Sequence, residues 1–252
     1  MIVTGLLART ALLGSGVALC AAVALAQTKP ATPDFSGTWE RYPPAGETAD
    51  PRYAPSVNPD PQLKPPYRAE WARGQVILKQ RLEESQPAGD NYINCIPDGM
   101  PSMMMGMFPM EIFQRGEQIN ITQEAFNQTR RVYMGQTLPK WDEIDPSFYG
   151  RSVGRWEGDT LVIETTGIKQ NVTFRWTPHS EGMKITERIR LVGPDILQDQ
   201  ITIEDEYLEK PWTYTYSFKR MKDYKLQEYV CEDNRDYVDE DGNVRHRVNK
   251  AP

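Results

Sequence analysis

Between Met110 and Glu232 the chain repeats one pattern about nine times: a short run of alternating apolar and polar residues, then a cluster of turn formers. The runs fall near 110–115, 118–125, 129–134, 153–156, 160–166, 183–192, 196–204, 212–221 and 226–231. Gly116-Glu117 and Glu157-Gly158-Asp159 join successive runs over so few residues that the neighbours must be antiparallel. A meander of this length has to manage its exposed edges, and closing into a barrel removes them. The expected fold is therefore mainly β: a single antiparallel β-barrel.

The segments before the meander have other characters. Residues 42–66 are dense in proline, which forbids regular helix and central strand and predicts an extended wrap over the surface. Residues 67–84 lack proline and are rich in Arg, Glu, Gln, Leu and Ala, which predicts one helix with Trp71, Ile77 and Leu78 as packing anchors. The polar stretch 233–252 has too little apolar surface to order itself and is expected to be a flexible tail.

Residues 1–26 read as a secretory signal: Arg9, an apolar run from Ala11 to Val23, and small residues at Ala24 and Ala26 before the cut. Lipid anchoring through Cys20 is the competing reading, and the bulky Leu19 before it argues against that. The apolar run is shorter than the roughly 20 residues of a bilayer span. The expected organisation is signal peptide 1–26, barrel domain with wrap and helix 27–232, and tail 233–252, in a periplasmic or secreted protein. Loss of Arg9 takes the net charge from -6 to -7, and no Lys/Arg stripe remains to displace counterions from a nucleic acid. About 225 residues suffice for one sizeable core. Two cysteines then remain, Cys95 and Cys231, and an oxidising compartment favours a disulfide between them. Closing so long a loop stabilises a fold by roughly 4 kcal/mol in the entropic account. Two separate buried thiols are the alternative.

The opening Phe35-Ser36-Gly37-Thr38-Trp39 resembles the Gly-x-Trp entry of lipocalin-like proteins. Three further stretches, Cys95 to Pro101, Ser152 to Thr165 with its Ser-x-Gly-Arg-Trp-Glu-Gly-Asp-Thr-Leu-Val core, and Pro178-His179-Ser180, are similar to a large group of exported bacterial proteins with no general function. The resemblance implies a lipocalin-like (calycin-like) barrel and says nothing about activity. Relatives often place a histidine before the serine of the Ser-x-Gly-Arg-Trp segment, where this chain has Arg151.

Candidate site residues follow from strand alternation. Glu187 shares a face with Met183, Ile185, Ile189 and Leu191, so its carboxyl should point into apolar surroundings. There it is either a general acid or base with a raised pKa or one half of an ion pair with an inward arginine, Arg155 or Arg130. His179, in a loop after Pro178, is either a proton shuttle at the barrel mouth or a hydrogen-bonded loop residue. Trp212, Tyr214, Tyr216 and Phe218 share one face and form either a wall for an aromatic ligand or plain core. Arg155 either orients a ligand or caps the barrel end. Six methionines between Met100 and Met110 suit an adaptable apolar lid, packing, or soft-metal binding. No His or Cys lies within that run, and no metal or cofactor is expected. Two functions remain open. One is binding of a small hydrophobic, aromatic molecule by Trp212, Tyr214, Tyr216, Phe218 and Arg155. The other is cofactor-independent isomerisation, elimination or hydrolysis by Glu187 and His179 in the same barrel. A solid-core envelope protein is a third reading.

Overall fold

Nine strands close on themselves in sequence order: β1 (Gly37–Arg41), β2 (Met110–Gln114), β3 (Gln118–Gln123), β4 (Gln128–Met134), β5 (Arg151–Glu157), β6 (Thr160–Thr166), β7 (Lys184–Gly193), β8 (Ile196–Glu204) and β9 (Trp212–Met221). The computed structural model describes residues 1, 32–56, 59–85, 95–105, 108–172, 174–231, 236–238 and 244–246. The expected signal peptide lies almost entirely outside them. Thr32–Pro252 forms one compact unit.

β1 closes the barrel, pairing with β2 on one side and with β9 on the other, from Thr38 opposite Met221 to Arg41 opposite Phe218. The Phe35-to-Trp39 opening explains why it can do so. Both aromatic rings are fully buried, and the Trp39 indole N–H donates to the Phe35 carbonyl at 2.9 Å, so this segment is pinned into the core. Gly158, at φ +65°, takes the left-handed conformation that the two-residue β5–β6 turn requires.

The barrel is not wholly antiparallel. β4 and β5 run parallel, with Val132 opposite Ser152 and Met134 opposite Gly154. The expectation of a uniform meander is corrected here: residues 135–150 form a crossover long enough to bring the chain back in the same direction. Gly154 lies on this seam, where a β-carbon would come within 2.8 Å of Val132 and Met134 side-chain atoms.

The expected ninth run, 226–231, is not a strand; the strand that completes the nine is β1. After β9 the chain is irregular. Glu124 accepts hydrogen bonds from the Tyr224 hydroxyl and the Gln227 amide, each 2.7 Å. This path ends at Cys231, whose disulfide to Cys95 joins residues 136 apart. Most of the tail lies outside the described residues; within it β10 (Asp236–Val238) and β11 (Val244–His246) pair antiparallel.

Helix α1 (Pro65–Glu83) begins earlier than the proline-free segment, with prolines in its first turn. Amides there have no intrahelical partner, so proline costs nothing. Its packing face is narrow. Tyr67 stacks on Tyr207 at 3.6 Å, Gly74 lies against Trp176, and Gln75 donates to the Arg175 carbonyl at 2.8 Å. Ile77 is 42% exposed and is not the anchor its type suggested, whereas Trp71 and Leu78 are half-buried. No helix among the described residues is long and apolar enough to cross a membrane.

Candidate functional site

Six consecutive strands each send a polar side chain into the barrel interior. From β4 to β9 these are Arg130, Ser152, Thr165, Glu187, Asp199 and Tyr214, all at most 1% exposed. Strand alternation puts them there: each takes its turn on an inward face otherwise filled by Val132, Ile163, Ile185, Ile189, Leu197, Ile201 and Phe218.

Arg130 organises one side of this belt. Its Nε donates to Ser152 Oγ at 2.9 Å, and one terminal nitrogen donates to Glu187 Oε1 at 2.8 Å. The other donates to Thr165 Oγ1 at 2.7 Å and, in a very short contact, to Glu187 Oε2. Ser152 and Thr165 hydroxyls bond each other at 2.9 Å. Glu187 therefore points inward as its position in the alternation requires, and both its oxygens are held by the guanidinium. Of the two arginines expected to face inward, only Arg130 does. Arg155 lies on the outer surface, half-exposed, and pairs with Glu157 and Glu164, so its expected place in the interior is corrected.

On the other side of the belt, Asp199 has only the Glu187 carboxylate as a partner, and the Tyr214 hydroxyl meets none among the described residues. Burial pushes the Asp199 carboxyl well above the usual carboxylate range, the Glu187 charge pushes it further, and Arg130 opposes them only in part. The acid is thus held neutral, and its proton gives it a hydroxyl to donate. Two carboxylates cannot bond to each other without a proton between them; with it, Glu187 becomes an acceptor for Asp199. Burial and the neighbouring Tyr216, Asp199 and Glu187 likewise push the Tyr214 phenol up, so it too keeps its proton.

Along β9, Trp212, Tyr214, Tyr216 and Phe218 form the inward aromatic face expected of them, all at most 4% exposed. Phe174, from the loop before β7, lies against this face, 5.4 Å from both Trp212 and Tyr214 and nearly parallel to Tyr214 (28°). Beside it is a cavity of about 20 Å³, lined by Val172, Phe174, His179, Met183, Ile203 and Trp212. That volume holds about one water molecule.

His179 is buried at this cavity, with Nδ1 2.8 Å from the Ser180 carbonyl and Nε2 2.7 Å from the Val172 carbonyl. Both ring nitrogens are engaged by backbone, as all polar atoms of Glu187 are by Arg130. The two residues expected to act together are each bound elsewhere. The methionines Met100, Met103, Met104 and Met110 are core residues, at most 1% exposed, while Met107 lies outside the described residues.

Asp199 is the residue the expected site lacked. The signal that singled out Glu187 applies equally to it, since it alternates with Leu197, Ile201 and Ile203. Its polar neighbours Gln198 and Gln200 disguise it as part of a hydrophilic patch.

No protein-family model matches the chain, and no curated protein does. Among solved structures it is similar to a mutant of the fluorescent protein UnaG, 15% identical, over 75% of this chain and 97% of that one, with a TM-score of 0.34. A likeness that remote carries no argument about ligand or fold, so the site rests on its own geometry.

Proposed function

We propose that this is an exported, lipocalin-like binding protein that takes a small hydrophobic, aromatic molecule into its barrel. The observation that carries the proposal is the ladder of Trp212, Tyr214, Tyr216 and Phe218, with Phe174 stacked against it from a loop. Offset and edge-to-face aromatic contacts contribute about 0.5–1.5 kcal/mol each beyond area burial, and a ligand ring can exchange for Phe174 with little net loss. Phe174 then acts as a plug that leaves when the ligand enters, which accounts for a cavity as small as 20 Å³. The sequence features of an export signal and the Cys95–Cys231 disulfide support a periplasmic or secreted location.

Native mass spectrometry of protein exported by its own host should reveal a co-purifying aromatic compound. Such a compound, or an aromatic library screened against the stripped protein, should quench tryptophan emission. A protein that carries nothing and whose emission no aromatic compound perturbs would end this reading and leave the interior as core.

A second reading, cofactor-independent proton transfer, is favoured by one specific observation: a fully buried Asp199 beside Glu187, its carboxyl pushed well above the usual carboxylate range by burial. Since Glu187 and His179 are otherwise engaged, the proton-transferring group would be Asp199. Under that reading Asp199→Asn lowers turnover of the true substrate by about 100-fold or more, whereas a pure binding protein shows no turnover to lose.

A further inference from the structure

We propose that the cavity beside Phe174 is the polar end of the binding site, where Thr177 and Asp205 take the hydroxyl of an aromatic alcohol whose ring occupies the place of Phe174. This rests on the reading that the interior binds an aromatic molecule, and adds the group that the molecule carries.

The cavity lies at the end of the barrel where β7 and β9 begin and β8 stops. Its walls are apolar: Val172, Met183, Ile203, Leu208, Trp212 and the Phe174 ring. Thr177, His179 and Asp205 also line it. Both ring nitrogens of His179 are engaged by backbone carbonyls. One Asp205 oxygen accepts from the Ser180 amide and hydroxyl at 2.9 and 2.8 Å, and the other from the Tyr207 amide at 2.8 Å. Thr177 differs. It is 8% exposed, yet its hydroxyl has no partner among the described residues. Burying a hydroxyl unpaired is costly, so each such group asks what its missing partner is. The Thr177 amide donates to the Phe174 carbonyl at 2.9 Å, which ties the unpaired hydroxyl to the backbone of the plug itself.

The lining selects the occupant. A void of about 20 Å³ has room for one water, but a buried water typically makes about three hydrogen bonds. Here it would find two partners at most: the Thr177 hydroxyl and one lone pair of Asp205, since a carboxylate offers about four acceptor sites and three are taken. Its remaining O–H would face apolar wall. A ligand hydroxyl has no such remainder. It accepts from Thr177, donates its single proton to Asp205, and turns carbon toward the wall. An ammonium would bring three donors to the same two acceptors, and a carboxylate would meet the charge of Asp205. The carbon body follows from Phe174, whose ring lies 5.4 Å from both Trp212 and Tyr214. An aromatic ring in that place keeps those contacts while its side chain reaches Thr177.

The test uses three probes of nearly one shape, 2-phenylethanol, propylbenzene and phenethylamine, with dissociation constants for the exported protein read by saturation-transfer NMR titration. Thr177→Val, which exchanges the hydroxyl for a methyl, should weaken 2-phenylethanol about 10-fold, the size expected of a buried hydrogen bond, and leave propylbenzene as tight or tighter. Thr177→Ser keeps the hydroxyl and should keep the affinity for the alcohol. Without ligand, Thr177→Val should unfold at a higher urea concentration than the native protein, because it removes an unpaired buried hydroxyl at constant shape. A lower midpoint would show that the hydroxyl has a structural partner such as a bound water, and would overturn the anchor. If propylbenzene binds and neither Thr177 variant changes its ratio to 2-phenylethanol, the anchor is wrong and the aromatic site stands. If Thr177→Ser loses the alcohol as fully as Thr177→Val, shape and not the hydroxyl is responsible, and the anchor is overturned. If phenethylamine binds tightest, Asp205 holds a cation and the hydroxyl assignment falls. If no probe binds, the interior-binding reading falls and the anchor with it.

Discussion

Arg130 and Glu187 form an ion pair in which both side chains are at most 1% exposed. Both are fully buried, so removing either leaves an uncompensated charge in the barrel. Arg130→Met or Glu187→Leu should each cost about 3–5 kcal/mol, and the double substitution much less than the sum, measured as urea unfolding free energies. Asp199 contributes in the opposite sense. A carboxyl whose folded pKa stands above its unfolded value, ordinarily 3.8, binds its proton more tightly in the native state. Its stabilising contribution is full below that unfolded value and is lost as pH rises through the folded one. Urea midpoints should therefore fall across that window in the native protein and fall less in Asp199→Asn; parallel profiles would show that Asp199 is not the buried neutral acid. At this scale the alternation rule reached Glu187 and the four β9 rings. It also held the information for Arg130 and Asp199, because each alternates with apolar neighbours. Arg155 was misplaced because it was judged by its motif instead of by register: Ser152 faces in, hence Arg155 faces out.

The elements show where local chemistry stops being a guide. Gly116-Glu117 and Gly158-Asp159 announce their hairpins, but nothing between Gly135 and Gly150 announces that β5 will lie parallel to β4. That pairing is decided by the barrel's need to close. The same demand shapes the loop before β7, where Arg175 (φ 51°) and Trp176 (φ 60°) both adopt the left-handed conformation between Phe174 and Thr177. Non-glycine residues there cost about 1–3 kcal/mol each. Packing of Trp176 on Gly74 and the Gln75 bond to the Arg175 carbonyl hold the turn against that cost, and with it hold Phe174 in the barrel. Arg175→Gly should relieve part of the strain and raise stability by about 1 kcal/mol in thermal or urea unfolding, slowing ligand entry if Phe174 is the plug. Phe174→Ala should do the reverse, accelerating the onset of tryptophan quenching by an aromatic ligand. Identical on-rates in the two variants would remove Phe174 from the entry path.

At the scale of the whole molecule, two long-range ties join segments that are distant in sequence. One is β1, which lies outside the meander in sequence yet seals it by pairing with β2 and β9. The other is the Cys95–Cys231 disulfide, which fixes the chain beyond β9 to the segment leading into β2, across 136 residues. The first was expected through the resemblance of the opening motif and the second as the favoured of two readings of an even cysteine count, though neither motif nor count could say that the chain between β9 and Cys231 would be irregular. Its anchorage comes from Glu124 and Asn127 at the β3–β4 turn, the latter donating to the Tyr229 carbonyl at 2.8 Å. That anchorage separates the role of the disulfide from that of the barrel. The bridge acts chiefly on the unfolded chain, shrinking its freedom, while the strands and their core persist without it. Replacing both cysteines by alanine should therefore lower unfolding free energy by roughly 4 kcal/mol yet leave the β-rich far-ultraviolet spectrum of the surviving native state unchanged. Deleting residues before Tyr42 removes β1 and exposes the edges of β2 and β9, and should produce concentration-dependent association by light scattering. A double-alanine variant that loses the barrel spectrum altogether would show that the bridge, and not β1, is what closes the sheet.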